Sequence, residues 1–308
     1  MASVSRNLAD LRAPDVARLV TDRSIFVQPL GAIEQHGPHL PFNTDLVIAD
    51  LVSQAAVERV GTDLDVWMLP PLAYTKSNEH SWSSGTIWLS ATTLLAVLDD
   101  IGRCVATTPA RKLVFFNGHG GNSALVGVAN REIRLAHGLM TFLAHPGVPP
   151  DQGGTSAPDE LGMGIHGGTD ETSMMLHLAP GLVDMSTATR NVPDELADNR
   201  YVRFGGAVGF GWLSNDFGPD GHIGDPLPAT AERGRERDVS AAVGHDIRRL
   251  SLPRQRHRHQ HADRCDRGGH QERRLVAVHD IIEGGIVERA RQRLEVDRVE
   301  CATLDRGL

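Results

Sequence analysis

The feature that most constrains this chain is an alternation. Short, mostly apolar runs are followed by longer stretches of helical spacing, with glycine- or proline-bearing turns between them. SIFVQPL at 24–30 reads as a buried strand ending at Gly31. The stretch 46–60 then sets Leu46, Ile48, Ala49, Val52, Ala55, Ala56 and Val60 at helical intervals. Asp45 stands just before it, in the N-cap position. The same reading predicts strands at 66–69 (closed by Pro70-Pro71), 112–116 and 139–145. It predicts helices at 92–107 (Thr92 or Thr93 near the cap), 123–137 and 171–178. Such alternation specifies an α/β fold whose sheet is largely parallel, with helices on both faces. There is no internal repeat. Two loops, 146–165 and 186–228, are expected to cover a site, because loops at the carboxyl ends of parallel strands build it.

Composition narrows the class of function. With 308 residues, 40% of them hydrophobic, the chain can bury a sizeable core. No apolar run approaches the ~18 residues of a membrane span, and the N-terminus lacks the basic-then-apolar pattern of a secretory signal. A cytoplasmic enzyme is expected. Cys104, Cys265 and Cys301 lie far apart without a C-x-x-C, so a metal here would be held by histidine and carboxylate. Residues 1–246 carry 17 Lys and Arg against 29 Asp and Glu, an acidic balance that argues against nucleic acid as a partner.

Three segments carry chemistry. In Gly31-Ala-Ile-Glu34-Gln-His36-Gly-Pro-His39-Leu-Pro-Phe-Asn-Thr-Asp45, Glu34 and His36 are two apart, so on extended backbone their side chains point the same way. Asp45 has two readings, a capping residue or a carboxylate shared by two ions. Carboxylate beside imidazole suits Zn²⁺ or Mn²⁺. Asn117-Gly-His119-Gly120-Gly121-Asn122 follows a strand directly, so His119 enters the crevice where open sheets bind ligands. No Lys-Ser/Thr follows, which excludes a phosphate-binding P-loop. In His166-Gly-Gly-Thr-Asp170-Glu171-Thr-Ser173, Glu171 is either a ligand or a first-turn carboxylate favoured by the helix dipole. Asp170 reads as a cap or solvent group, His177 as a packed histidine, and His166 as a proton carrier.

Together with EHSWSSGT (79–86) and GDPLPAT (224–230), these segments stand in an order that resembles the creatininase (creatinine amidohydrolase) family over residues 25 to about 235. The resemblance implies a three-layer α/β/α domain with two divalent ions, zinc first and manganese or iron as alternatives, acting on a small-molecule amide. It implies Glu34 and His119 on one ion, His36 on the other and Asp45 between them. Creatininase proper has a ligating glutamate where this chain has Gly121, and Glu171 is then the expected replacement. His166 falls on the proton-transfer histidine. His80, Gly120 and Gly121 are expected to line the substrate pocket, with Trp82, Trp88 and Trp212 either an aromatic wall or simply core. The family forms homo-oligomers, and it includes formamide deformylases and a peptide-trimming enzyme. The expected reaction is therefore hydrolysis of a non-peptide or cyclic amide. A deformylase, a small-peptide hydrolase or an inactive metal-binding scaffold are the alternatives.

After residue 246 the character changes. Residues 247–308 hold 14 Arg, no Lys and 10 acids, with dense His and little periodicity. The expected division is a hydrolase domain at 1–246 and a tail at 247–308 that a reading-frame shift would explain. A metal-binding His tract or a basic arm are the rival readings.

Overall fold

The structure, a computed structural model, describes residues 5–148 and 150–236. Its elements run α1 (Ala13–Leu19), β1 (Ile25–Leu30), α2 (Thr44–Leu64), β2 (Val66–Met68), α3 (Ala91–Ala106), β3 (Lys112–Asn117), α4 (Ser123–His137), β4 (Met140–Ala144), α5 (Thr169–Leu178), α6 (Asp194–Ala197) and α7 (Ala231–Glu236). The four strands form one parallel sheet in the order β2-β1-β3-β4. β1 and β3 pair from Ile25↔Lys112 to Leu30↔Asn117, so they end level and deliver residues 31 and 118 onward to the same edge.

Strand side chains alternate between the two faces, which gives the fold its layers. Ile25, Val66, Val114 and Phe116 pack with Ile48, Val52 and Leu64 of α2 and Met175 of α5. Phe26, Leu30, Trp67, Leu113 and Phe115 pack with Leu94 and Leu98 of α3 and Val126 and Ile133 of α4. Both faces are covered, as apolar strands without a polar face require.

Several local expectations are corrected. Asp45 is not an N-cap. α2 begins two residues earlier than expected, at Thr44, and Asn43 occupies the cap without a side-chain hydrogen bond. Asp45 therefore projects from the first turn, free for another role. Ser90, not Thr92 or Thr93, caps α3 by accepting from the Thr93 N–H. α5 starts at Thr169 behind Gly168, and Asp170 pairs with Arg233 of α7 at 2.6 Å. The two long loops are not merely cover. Met163, Val192, Phe204 and Ile223 form a satellite core against Phe210, Trp212 and Phe217. Trp212 is thus part of that core, while Trp88 is exposed.

Among the described residues no helix is long and apolar enough to cross a membrane. Residues 237–308 lie outside the described residues, and with them the expected boundary at 246 and the tail.

Candidate metal centre

Glycine at two positions lets the strand ends meet the start of α2. A Cβ at Gly31 would overlap Leu46, and one at Gly118 would overlap the Asp45 carbonyl. The first turn of α2 therefore lies directly on the ends of β1 and β3. That contact brings Asp45 against the residues that follow each strand.

The expected ligands converge there. Asp45 Oδ1 is 3.1 Å from His36 Nε2, and Asp45 Oδ2 is 3.1 Å from His119 Nδ1. Glu34 Oε1 is 3.2 Å from His119 Nδ1, and Glu171 Oε1 is 3.6 Å from His36 Nε2. Three overlapping groups of donor atoms result: Glu34, Asp45 and His119; His36, Asp45 and Glu171; and Glu34, His36 and His166. Among the described residues, Glu34, Asp45 and Glu171 have no ion pair to Lys or Arg.

Hydrogen bonding fixes which nitrogen each ring presents. His119 Nε2–H donates to the Lys76 carbonyl at 2.8 Å, leaving the Nδ1 lone pair toward Glu34 and Asp45. His36 Nδ1–H donates to the Glu34 carbonyl at 3.1 Å, leaving the Nε2 lone pair toward Asp45 and Glu171. Lone pairs facing carboxylate oxygens are repulsive unless something positive lies between them. Both oxygens of Glu34, and Oδ2 of Asp45, are buried with no hydrogen-bond partner. A buried carboxylate left this way is costly. A bound cation would remove that cost, and the donor set of imidazole and carboxylate suits one. Without one the chain must use protons. Burial opposes charge on His36, yet Asp45 and Glu171 push it well above the usual histidine range. His119 is raised in the same way, against burial, by Glu34 and Asp45. Burial would lift the Asp45 carboxyl, but His36 and His119 hold it well below the usual carboxylate range. Glu171 is raised by burial, partly offset by His36.

The Asn117–Asn122 loop is clamped by its own asparagines. Asn117 Nδ2–H donates to the His119 carbonyl at 2.6 Å, and its Oδ1 accepts from the His119 N–H at 3.3 Å and from Asn122 Nδ2–H at 3.0 Å. Gly121 has a specific reason: a Cβ there would overlap the Glu79 carboxylate. Glu79 fills that space, 3.4 Å from His119 Nε2 and 2.9 Å from Lys76 Nζ. Burial works to raise its carboxyl, but His119 and Lys76 hold it well below the usual range.

His80 and His166 complete the site, with ring centroids 4.2 Å apart. His80 Nε2 is 3.3 Å and His166 Nδ1 3.7 Å from Glu34 Oε1. Burial lowers both below the usual histidine range, which favours the neutral ring. The cleft over the carboxylates is lined by His80, His119, Gly120, Gly121, Asp151 and Trp212. A second cleft, lined among others by His145, Val148 and Met174, meets it at Gly120, Ile165, His166 and Glu171. His177 is half-buried outside the site.

Three residues of consequence were not anticipated. Glu79 lies inside the EHSWSSGT segment, but its partner His119 is forty positions away. Gln35, between Glu34 and His36, contacts both His80 and His166. Glu160, buried, accepts from the backbone N–H of Ala157, Thr169 and Asp225 at 3.1, 2.8 and 2.9 Å. It ties the loop before His166, the start of α5 and the 224–230 segment together. Neither Gln35 nor Glu160 carries a local pattern that would have revealed it.

A sequence profile described as creatininase, creatinine amidohydrolase, matches residues 9–245. The chain belongs to the creatininase family. It is 39% identical over 215 residues to the mycofactocin precursor peptide peptidase of Mycobacterium ulcerans (strain Agy99), covering 67% of this chain and 77% of that one. It is 34% identical over 194 residues to the creatinine amidohydrolase of Pseudomonas putida, covering 58% and 73%. Among solved structures, a mutant creatininase of the zinc–zinc type aligns with TM-score 0.59 at 26% identity, over 80% of this chain and 97% of that one. A manganese creatininase aligns equally well, over 79% and 97%. The protein is thus a creatininase-family hydrolase with a creatininase-like α/β fold, and its buried Glu, Asp and His clusters fit metal binding.

Proposed function

We propose that this chain hydrolyses a C–N amide bond of a small peptide at a centre of two divalent cations. Glu34, His119 and Asp45 would hold one ion, and His36, Asp45 and Glu171 the other. The observation that carries this reading is the buried Glu34 carboxylate, which stands among imidazole nitrogens without a hydrogen bond. Zinc or manganese is the expected metal, since solved creatininases of both kinds share the fold. When bound, such ions polarise a carbonyl and make water acidic enough to react near neutral pH.

The chain's own groups do the rest. His166, neutral and with its Nε2–H engaged, offers the Nδ1 lone pair to a proton and returns it to the leaving nitrogen. His80 Nε2 and the Gly120-Gly121 backbone form the facing wall. The meeting of two clefts leaves room on both sides of a scissile bond.

Peptide rather than cyclic amide is favoured by two observations. Relatives described as mycofactocin precursor peptide peptidases match over 67% to 79% of this chain, against 58% for the creatinine amidohydrolase. Gly121, with Glu79 in the space beside it, also departs from creatininase proper. Creatinine remains the second reading, because a solved creatininase bound to creatine aligns over 79% of this chain. The deciding experiment loads purified protein with zinc or manganese and offers short peptides and creatinine in parallel. Release of new amino termini without creatine supports the peptide reading. Creatine formation alone reverses it, and inertness toward both with two ions bound leaves the scaffold alternative.

A further inference from the structure

We infer that Gln35 is a positioning residue that makes its two neighbouring histidines present opposite groups to the site, an N–H from His80 and a lone pair from His166. The inference rests on the hydrolytic reading above for its consequence, but not for its geometry.

The hydrogen-bond directions follow by elimination. Gln35 is 5% exposed, and its Oε1 accepts from the Gly37 N–H at 2.8 Å, which fixes the amide orientation. One hydrogen of Nε2 goes to the Gly221 carbonyl at 3.0 Å, which can only accept. His166 Nε2 lies 2.6 Å from the Gln35 backbone carbonyl, so that nitrogen carries its hydrogen and cannot accept one from the Gln35 amide. Ser214 Oγ accepts from Trp82 Nε1–H at 2.7 Å and keeps a second lone pair, but at 3.3 Å it lies farther from the amide than His80 Nδ1 does. The second hydrogen therefore goes to His80 Nδ1 at 3.0 Å.

Both rings are thereby Nε2–H tautomers turned in opposite senses. His80 gives its lone pair to Gln35, which leaves its Nε2–H on the Glu34 side, 3.3 Å from Oε1 but outside hydrogen-bond geometry. His166 gives its Nε2–H to Gln35 and aims the Nδ1 lone pair at Glu34. One residue does this through its side-chain amide and its backbone carbonyl. Gly221 permits the arrangement, since a Cβ there would overlap the Gln35 amide and the Trp82 ring.

Hydrolysis needs this complementarity. Water oxygen bonds to the carbonyl carbon, and the C–N bond breaks with its electron pair going to nitrogen. The water proton passes through His166 Nδ1 to that nitrogen, leaving an acid and an amine. His80 keeps its proton and serves as a fixed hydrogen-bond donor. A His80 with the opposite tautomer would turn a third lone pair on the same carboxylate, beside those of His119 and His166.

The test is the ¹⁵N spectrum of zinc-loaded, full-length protein labelled at histidine, with His80→Asn and His166→Asn as assignment controls. Expected are protonated Nε2 and bare Nδ1 on both rings. In Gln35→Glu, whose carboxylate only accepts, Nδ1 of His80 becomes protonated while His166 is unchanged. The same variant retains zinc and loses kcat by about 100-fold, the scale of a misdirected acid–base group. Gln35→Met, of similar length but without a donor, is read alongside in case Gln35→Glu does not fold. A protonated His80 Nδ1 in the wild type overturns the inference. So does kcat within about threefold of wild type in a folded, zinc-loaded Gln35→Glu. If the wild type cleaves no peptide, the hydrolytic reading fails, and the wild-type spectrum still decides the role of Gln35.

Discussion

At Glu34 a carboxylate with no exposure stands 3.2 to 3.7 Å from nitrogens of His119, His80 and His166 and makes no hydrogen bond. Replacing it by the isosteric amide tests whether a cation belongs there. Zinc should raise the melting temperature of the wild type, by an amount corresponding to about 2.7 kcal/mol at a hundredfold excess over Kd. Glu34→Gln should lose most of that rise in a thermal scan. A full rise in the variant would remove Glu34 from the ligands. Glu171→Ala should lower metal content by about one ion per chain in elemental analysis, because Asp45 and His36 alone leave that ion under-coordinated. Glu79 acts one step further out. Its contact with His119 Nε2 predicts that Glu79→Gln weakens metal binding by ~10- to 100-fold in a competition titration, without abolishing it.

Between elements, two buried or half-buried carboxylates hold the frame around the site. Glu160 satisfies three backbone N–H groups drawn from separate loops, and its neighbours Gly164, Gly168 and Gly224 leave it room. Glu160→Ala strands those donors and should cost about 2–4 kcal/mol in urea unfolding. A change under half a kilocalorie would show that water replaces the carboxylate. Asp65 ends α2 in left-handed backbone (φ 56°) and binds Ser24, Trp67, Thr21 and Arg6. Burial would raise its carboxyl, but those hydrogen bonds lower it below the usual value. A depressed folded-state value means stabilisation that is complete above the unfolded-state pKa, near 3.8, and lost as pH falls below it. The melting temperature of wild type should therefore fall between pH 5 and 3 more steeply than that of Asp65→Asn. Parallel curves would refute the assignment.

For the molecule as a whole, the charge division falls near residue 246. The body carries 29 acids to 17 bases, and 247–308 carries 14 Arg to 10 acids. The family match ends at residue 245, and every residue placed in the site lies before 226. A chain ending at 246 should therefore keep its metal content and its peptide hydrolysis. Failure of that chain to fold, judged by circular dichroism, would show that the tail is required.

The four strands, helices α2 to α5 and the parallel sense of the sheet were legible, while α1, α6 and α7 were not, because apolar periodicity is a local property and needs a window of ten or so residues to show. Glu34, His36, Asp45, His119 and Glu171 could be picked out as candidate ligands because each sits in a short segment whose residue types make sense together, and the structure brings them within reach of one another. What tertiary structure alone decided are the pairings between segments. Asp45 faces His36 and His119 because two glycines let α2 rest on the strand ends, not because of any cap. Glu79 stands beside Gly121, and Glu160 joins three loops, through contacts whose partners lie forty or more positions away for Glu79 and His119, and sixty-five for Glu160 and Asp225. Gln35 reaches His166 across 131 positions and Gly221 across 186. A hydrogen bond is directional and short, so its partners are settled only when packing has brought the chain together.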